Sequence, residues 1–221
     1  MRTAVLIATI FTTLNISCAT GQKNSAPNDT DMNNQLKNGT NIFFENKTIN
    51  ADLNFTSLLQ PVVESNGINR CYINSAITFK QCTFKGKLTG YVTDESGKST
   101  MTYFQKSVAF IDCIFEDDVI LRGAIFSAPA NFQGCSFVKK ADFQESHFYT
   151  DAFFNETKYR EEAYFQNAVF AKKIIFMNSR FESNVYFQNA TFYFDSQFSN
   201  AEFQKYADFT VCTFQMGVFF N

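Results

Sequence analysis

The chain has 221 residues and a formal net charge of −2, which suits one domain with a leader and excludes a broadly basic nucleic-acid-binding surface. Aromatic residues make up 17% of the chain; 29 residues are Phe and none is Trp. With only 3 Pro and 9 Gly, the chain has few of the usual turn residues, so we expect polar corners with ordinary φ/ψ angles.

The first 18 residues resemble the signal sequence of a bacterial lipoprotein. A short basic start precedes an apolar run at residues 4–14, which is too short to span a bilayer, and Ser17 precedes Cys18. The resemblance implies lipidation of Cys18 and a membrane-anchored protein of the cell envelope, although Asn15 stands where Leu is expected. Cleavage after Ala19, giving a periplasmic or secreted protein, and retention in the cytosol stay open.

Residues 19–41 are polar and rich in Asn, Thr and Ser. Such a segment cannot bury a core, so we predict a disordered tether that lifts the folded part off the membrane.

Residues 42–84 change to a β-like pattern, which we interpret as an N-terminal cap and the first coils of a repeat. Ile49 and Phe55 are six residues apart, and Ile73, Phe79 and Phe84 continue in register with apolar or Cys residues two positions earlier.

Residues 85–103 interrupt the pattern with two alternating runs separated by the turn sequence at residues 94–97. We predict an inserted β-hairpin that projects from one corner. An insertion in a solenoid is a frequent place for a specific contact, so we predict four residues that contact a partner protein: Tyr91, Glu95, Lys98 and Tyr103.

Residues 104–221 carry the dominant pattern, in which a Phe or a replacement recurs at alternating intervals of five and six residues. These ladder residues are Phe110, Phe115, Leu121, Phe126, Phe132, Phe137, Phe143, Phe148, Phe154, Tyr159, Phe165, Phe170, Phe176, Phe181, Phe187, Phe192, Phe198, Phe203, Phe209, Phe214 and Phe220. The residue two positions before each one is usually small, and in an extended chain both side chains point to the same side.

A 22-residue repeat is visible as near-identity, because residues 164–170 recur at residues 186–192. Four ladder residues therefore complete one coil, and each should stack about 4.8 Å above its predecessor. We predict an all-β, four-sided solenoid with Phe columns inside.

The motif of a small residue, any residue and Phe, as in Ala141–Glu145 and Ala207–Val211, is similar to the pentapeptide-repeat family. That resemblance implies a right-handed quadrilateral parallel β-helix. The chain departs from the family pattern in its alternating intervals and in the dominance of Phe. A three-sided β-helix is the alternative fold.

Five cysteines occupy the small position two residues before a ladder residue: Cys71, Cys82, Cys113, Cys135 and Cys212. Each is interpreted as a small buried apolar residue, and no metal or cofactor is expected. Cys113 and Cys135 are one coil apart, so a disulfide between them is an alternative. His147 is the only histidine and should point outward without a nucleophile beside it.

Function is predicted only in outline, as a non-enzymatic, envelope-exported scaffold that binds an unknown protein partner. Between Lys106 and Asp208 the charges are mixed, with 14 acidic and 10 basic residues. Some members of the resembling family imitate DNA and bind topoisomerases, which is one alternative. A carbohydrate-binding or carbohydrate-active β-helix is another, suggested by Gln144, Gln166 and Gln188 in one column.

The C-terminal coil is the expected site of self-association, because Phe219 and Phe220 lie at its edge and an uncovered parallel edge invites pairing.

Overall fold

The computed structural model describes residues 29–220, in which parallel strands stack into four sheets that form the walls of a β-helix. The chain visits the walls in the constant order A, B, C and D, and each circuit is one coil. The predicted four-sided solenoid is therefore confirmed, and the three-sided alternative is wrong. The predicted signal at residues 1–18, its Cys18 and the first part of the predicted tether lie outside the described residues.

The strands of each wall are joined to the same wall of the next coil. Wall A contains β1 (Ile42–Glu45), β6 (Ile77–Lys80), β11 (Val108–Ile111), β15 (Ala130–Asn131), β19 (Ala152–Phe153), β23 (Ile174–Ile175), β27 (Ser196–Gln197) and β31 (Val218–Phe219). Wall B contains β2 (Thr48–Ile49), β7 (Thr83–Phe84), β12 (Ile114–Phe115), β16 (Ser136–Phe137), β20 (Lys158–Tyr159), β24 (Arg180–Phe181) and β28 (Glu202–Phe203). Wall C contains β3 (Leu53–Asn54), β8 (Leu88–Thr89), β13 (Val119–Ile120), β17 (Ala141–Asp142), β21 (Ala163–Tyr164), β25 (Val185–Tyr186) and β29 (Ala207–Asp208). Wall D contains β5 (Asn69–Ile73), β10 (Ser99–Phe104), β14 (Ile125–Phe126), β18 (His147–Phe148), β22 (Val169–Phe170), β26 (Thr191–Phe192) and β30 (Thr213–Phe214), together with the short strands β4 (Val62–Val63) and β9 (Tyr91–Thr93).

The ladder residues point inward, as predicted. Every one from Phe110 to Phe198 is at most 1% exposed. Their rings stack on those of the coils above and below; the Phe143 and Phe165 ring centroids, for example, are 5.2 Å apart with an angle of 3° between the planes. Small side chains two positions earlier leave the room that these rings need. Stacked rings add a modest geometric term to a large buried apolar area.

Between two ladder residues that are five positions apart, the chain turns the corner with one residue at positive φ. At one such corner the Ser146 N–H donates to the Phe143 carbonyl at 3.2 Å, with Glu145 at φ 58°. Among residues 29–220, ten residues other than Gly have positive φ: Asn46, Gln81, Asp112, Glu145, Glu156, Asn167, Asn178, Asn189, Asn200 and Val211. The expectation of ordinary φ/ψ angles is therefore wrong at the corners of the five-residue intervals. Asn and Asp tolerate this region because their short side chains bond to the local backbone.

A helix, α1 (Asp29–Lys37), lies inside the predicted tether, so the prediction of disorder is wrong for these residues. Met32 and Leu36 are one helical turn apart and are both buried in the same core as Ile42. Gly39, with φ 68°, follows the end of the helix. The helix thus covers the N-terminal end of the coil. Among residues 29–220, none of the helices is long and apolar enough to cross a membrane.

The first coil already begins at β1, and β1 to β3 form three of its walls. A 3₁₀ turn at Phe55–Ser57 follows, and the Asn54 side chain accepts a hydrogen bond from the Thr56 N–H at 3.0 Å. In the next coil of wall C, Gly90 takes the ladder position between Phe55 and Leu121. A Cβ at Gly90 would lie 2.8 Å from the Leu121 Cδ2 atom, so any larger residue there would have to displace the Leu121 side chain.

The predicted insertion at residues 85–103 contains the expected hairpin, but the hairpin is shorter than predicted. Its antiparallel part is β9 with the start of β10, around a turn at residues 94–97. Leu88 belongs to wall C, and the rest of β10 belongs to wall D. The hairpin therefore widens wall D sideways at the corner between walls C and D, and the coil continues through the segment.

Candidate interaction surface

The hairpin β9–β10 does not stand alone, because β4–β5 forms a second hairpin at the same corner, one coil below. Strand β5 pairs in parallel with β10 from Asn69–Thr100 to Ile73–Phe104. Together β4, β5, β10 and β9 form a small sheet that extends wall D past the corner, and we call it the fin. The fin is fixed to the core through the 3₁₀ turn, where Phe55 contacts Phe104 edge to face at 5.1 Å.

The four predicted partner-contact residues lie in different parts of the fin. Tyr103 is on the outer face of wall D and stacks on Tyr72 at 5.0 Å. Tyr91 lies under the Arg122 guanidinium, and hydrogen bonds from Ser99 and Thr93 lower the pKa of its hydroxyl. Glu95 and Lys98 are exposed at the turn. The structure therefore does not bring these four side chains together into one contact site.

A second surface follows the corner between walls D and A, and we call it the aromatic edge: Tyr149, Tyr193, Phe194 and Met216. These side chains are 49%, 41%, 41% and 53% exposed, respectively. The Lys172 Nζ atom, one coil earlier, lies 4.4 Å from the centre of the Phe194 ring. Phe194 and Met216 lie in successive coils, about 4.8 Å apart along the axis. Tyr149 lies two coils before Tyr193, and Ala171 and Lys172 occupy the coil between them.

The corner between walls B and C lies diagonally opposite and is charged. We call it the charged edge: residues 116–118, 138–140, 160–162, 182–184 and 204–206. Its acids and bases pair between coils, as in Lys139–Glu161 at 2.8 Å. Exposed pairs of this kind contribute little stability, but they neutralise each other. The edge therefore lacks the uniform negative charge that imitation of DNA requires.

The outer face of wall C has amide and tyrosine columns. The Gln144 Nε2 atom donates to the Gln166 Oε1 atom at 3.2 Å, which forms the first step of the expected amide ladder. Tyr164 and Tyr186 stack at 5.3 Å, so their ring faces cover each other. Sugar binding uses a free ring face, and this stack offers none between its members. Wall C therefore gives the carbohydrate alternative no clear support.

The cysteines lie where the sequence predicted, with Cys82, Cys113 and Cys135 in one column of wall B. All five cysteines of the described residues are free thiols, including Cys113 and Cys135. A hydrogen bond with the Cys135 thiol and burial raise the pKa of Cys113 to about 12, although the contact with Cys82 lowers it, so Cys113 is a poor nucleophile. Within residues 29–220, no group of three or more His, Cys, Asp or Glu side chains could hold a metal ion.

His147 points outward from wall D and is half-buried. Burial lowers the pKa of its imidazole, and the Arg70 guanidinium lowers it further. Its nearest ring neighbour is Tyr149, at 6.1 Å. Nothing in these contacts resembles a nucleophile and its base.

Sequence reasoning missed the aromatic edge. A signal was present, because Tyr149 and Tyr193 are 44 residues apart and Phe194 and Met216 are 22 residues apart, which are multiples of the coil length. Each exposed aromatic residue alone carries little information, so the pattern is visible only along that period.

Comparison with known families identifies the repeat. The family model of pentapeptide repeats matches the chain in 9 copies, and its matches include residues 110–158, 143–191 and 165–213. These ranges together span residues 110–213, just under half of the chain. No curated relative and no solved structure gives a significant match.

Proposed function

We propose that this chain, whose coils are pentapeptide repeats, is a non-catalytic scaffold that is exported to the cell envelope and binds a protein partner there. The signal-like sequence and Cys18 support export and anchoring. The aromatic edge is the single observation that carries the partner-binding part of the proposal.

The aromatic edge has the composition of a protein-binding surface. Tyr, Phe and Met are enriched in the cores of protein interfaces, where a few such side chains provide most of the binding energy. Here Tyr193 and Phe194 are adjacent in sequence and both exposed, with Met216 one coil later. The Lys172 ammonium group lies over the Phe194 ring, and Asp195 follows Phe194 in the sequence, so a partner would meet aromatic and apolar side chains together with these charges.

The test uses site-specific photo-cross-linking of the full chain in cells. Replacing Phe194 by p-benzoylphenylalanine should give one discrete cross-linked product. The matched control is the same replacement at Ile114 on wall B, which is 42% exposed but lies away from the aromatic edge. The Phe194 product should disappear when Tyr149, Tyr193 and Met216 are all changed to Ser. Equal products from both positions, or none from position 194, would contradict partner binding at this edge.

The fin turn is the second proposed contact, through Glu95 and Lys98. Deleting residues 85–103 cannot test it, because the deletion would remove Leu88 and most of β10 from the walls. Changing both residues to Ala should leave the turn intact, because the turn is held by the Asp94 carboxylate, which accepts hydrogen bonds from the Ser96 and Lys98 N–H groups. An unchanged yield of cross-linked partner would limit the contact to the aromatic edge.

Membrane anchoring is tested separately by labelled palmitate. We expect incorporation into the full chain and its loss on Cys18→Ala. A soluble, unlabelled product in the periplasm or medium would support the alternative of an unanchored exported protein.

A further inference from the structure

The outermost strand of the fin, β9, has a free edge. Its register with β10 pairs Thr93 with Ser99, Val92 with Thr100, and Tyr91 with Met101. Two bonds fix the alternation: the Asp94 N–H donates to the Lys98 carbonyl at 3.0 Å and the Thr102 N–H to the Gly90 carbonyl at 2.9 Å. In an antiparallel pair every second residue exchanges backbone hydrogen bonds with the residue opposite, so the N–H and C=O groups of Val92 bond to β10. The N–H and C=O groups of Tyr91 and Thr93 therefore point away from β10.

The opposite edge of the fin, at β4, differs. The Glu64 N–H donates to the Ile68 carbonyl at 2.8 Å, so by the same alternation Val62 bonds to β5 and the backbone of Val63 points outward. The next outward residue is Pro61, which has no N–H. A Pro at this place blunts an edge strand against further pairing. Strand β9 contains no Pro, and its central residue Val92 is 43% exposed.

We propose that β9 pairs with β9 of a second copy of this chain, in an antiparallel arrangement with a two-fold axis at Val92. Tyr91 then faces the partner copy's Thr93, and each pair exchanges N–H···O bonds in both directions. The two Val92 side chains meet in the non-hydrogen-bonded position, where Cβ atoms are about 4.5–5.5 Å apart. The segment is self-complementary because its two outward-facing residues lie symmetrically about Val92.

Antiparallel pairing about Val92 places the partner copy's Asp94 opposite Gly90, on the face of the sheet that carries Val92. The Tyr91 ring lies on the other face, where the Arg122 guanidinium is 5.7 Å from its centre and forms an ion pair with Glu145. The two fins become one continuous sheet, and each exposed edge strand is covered.

The contact is short, so the dimer should be weak. Only a three-residue strand pairs with its copy, far less than a standard interface, and we expect a dissociation constant of about 0.1–1 mM. Sedimentation equilibrium of the full Cys18→Ala chain should show its weight-average mass rising above the 25.2 kDa monomer over this concentration range. A mass that stays at the monomer value up to about 1 mM would overturn the proposal.

Two variants at one position isolate the backbone contact. Thr93→Pro removes an outward N–H that β10 does not use, so the hairpin keeps its internal bonds. Thr93→Ala keeps that N–H and removes the γ-methyl group and the hydroxyl, which donates to the Tyr91 hydroxyl at 3.0 Å. We expect Thr93→Ala to dimerise like the parent chain, and Thr93→Pro to weaken dimerisation at least about tenfold, with melting temperatures that show both variants folded.

The outcomes separate this contact from the others. If Thr93→Pro dimerises like the parent, the β9 contact is wrong, and loss of dimer on changing Phe219 and Phe220 to Ser would assign it to the C-terminal coil. Both Phe219 and Phe220 are exposed. The cross-link from position 194 should survive Thr93→Pro, because the aromatic edge lies on a different corner.

Discussion

The regular coils from Phe110 onward and the N-terminal coils before them fill the same interior in different ways. In the regular coils, Phe rings stack on identical neighbours, as between Phe154 and Phe176 at 5.1 Å. In the N-terminal coils, the equivalent positions hold Ile49, Ile73 and Gly90, and the remaining space is filled by the 3₁₀ turn and by α1.

The difference follows from what a repeat can and cannot do. A ring in the middle of a column is covered by its neighbours, but the first ring of a column has a neighbour on one side only. The end of the coil therefore needs residues that break the repeat, and Met32 and Leu36 of α1 cover it. The regular coils provide the stacked rings, and the irregular N-terminal segment covers the end of the stack.

The largest expected effect lies in the regular coils. Phe165→Ala should lower the free energy of unfolding by about 3–5 kcal/mol, because it removes a fully buried ring and leaves a cavity. Urea denaturation measures the loss. The matched control is Tyr164→Ala on the outer face, for which we expect about 1 kcal/mol from the lost stack with Tyr186. A loss below about 1 kcal/mol at Phe165 would contradict inward stacking.

The N-terminal closure gives the next effect. Leu36→Ala should cost about 2–3 kcal/mol, because Leu36 is buried against the first coil. Asn34→Ala, on the exposed side of α1, is the control and should cost less than about 0.5 kcal/mol. Native-state hydrogen exchange should show faster exchange in β1 than in β22 after Leu36→Ala. Equal acceleration in both strands would mean that the coils unfold as one unit.

Gly90 lies where the N-terminal coils meet the regular coils, between Phe55 and Leu121. Gly90→Ala should cost about 1–3 kcal/mol, because its Cβ would lie 2.8 Å from the Leu121 Cδ2 atom and 3.1 Å from the Thr102 Oγ1 atom. Leu121→Ala should relieve part of that cost, so the double variant should be more stable than the two separate losses predict. If the two losses of unfolding free energy simply add, the contact between the new Cβ atom and Leu121 is not the cause of the destabilisation.

Corner residues provide a smaller contrast within the regular coils. Val211 has φ 58°, although β-branched residues rarely adopt that region, while Asn189 holds the same corner one coil earlier. Val211→Asn should stabilise the chain by about 1 kcal/mol, and Asn189→Val should destabilise it by a similar amount. Thermal unfolding of the two variants gives the comparison, and shifts of the same sign would refute the strain at Val211.

The smallest effect concerns pH. Burial raises the pKa of Asp142, despite hydrogen bonding from the Gln144 N–H and the nearby Lys140 and Arg122. The folded state therefore holds this proton more tightly than the unfolded state does, and the contribution of Asp142 to stability falls as pH rises above the ordinary Asp pKa of 3.8. Asp142→Asn should flatten that part of the melting temperature profile between pH 3 and pH 7, roughly the range in which carboxyl groups titrate. An unchanged profile would assign the pH dependence to other groups.

The fold was largely predictable because every coil repeats the same inward-facing residue types at the same positions. An inward Phe with a small residue two positions earlier leaves little freedom in register, so columns and walls followed from spacing. The helix α1 did not follow, since Met32 and Leu36 are the only apolar residues in nine and a polar segment of that kind usually stays unfolded. The positive φ angles were missed because Glu or Gln at a corner looks like any other polar turn residue.

The surfaces were harder to predict than the core. The hairpin was visible from its alternation and turn, but its strand β10 also serves wall D, and only the pairing of β5 with β10 reveals the fin. Outward positions are free to vary, so the aromatic edge has no fixed motif in the sequence. The predicted hairpin is present, and partner contact by Tyr91, Glu95, Lys98 and Tyr103 stays a prediction.

Equivalence of successive coils also describes how such a chain can grow. Residues 164–170 and 186–192 are nearly the same sequence in neighbouring coils, and each coil contacts chiefly the coils beside it. An in-frame duplication of one coil would lengthen the β-helix by one coil, and it would need no new fold, no new kind of corner and no new cover for the end of the coil. The aromatic edge would lengthen with it, so the reach of the surface is a property that gene duplication can adjust one coil at a time.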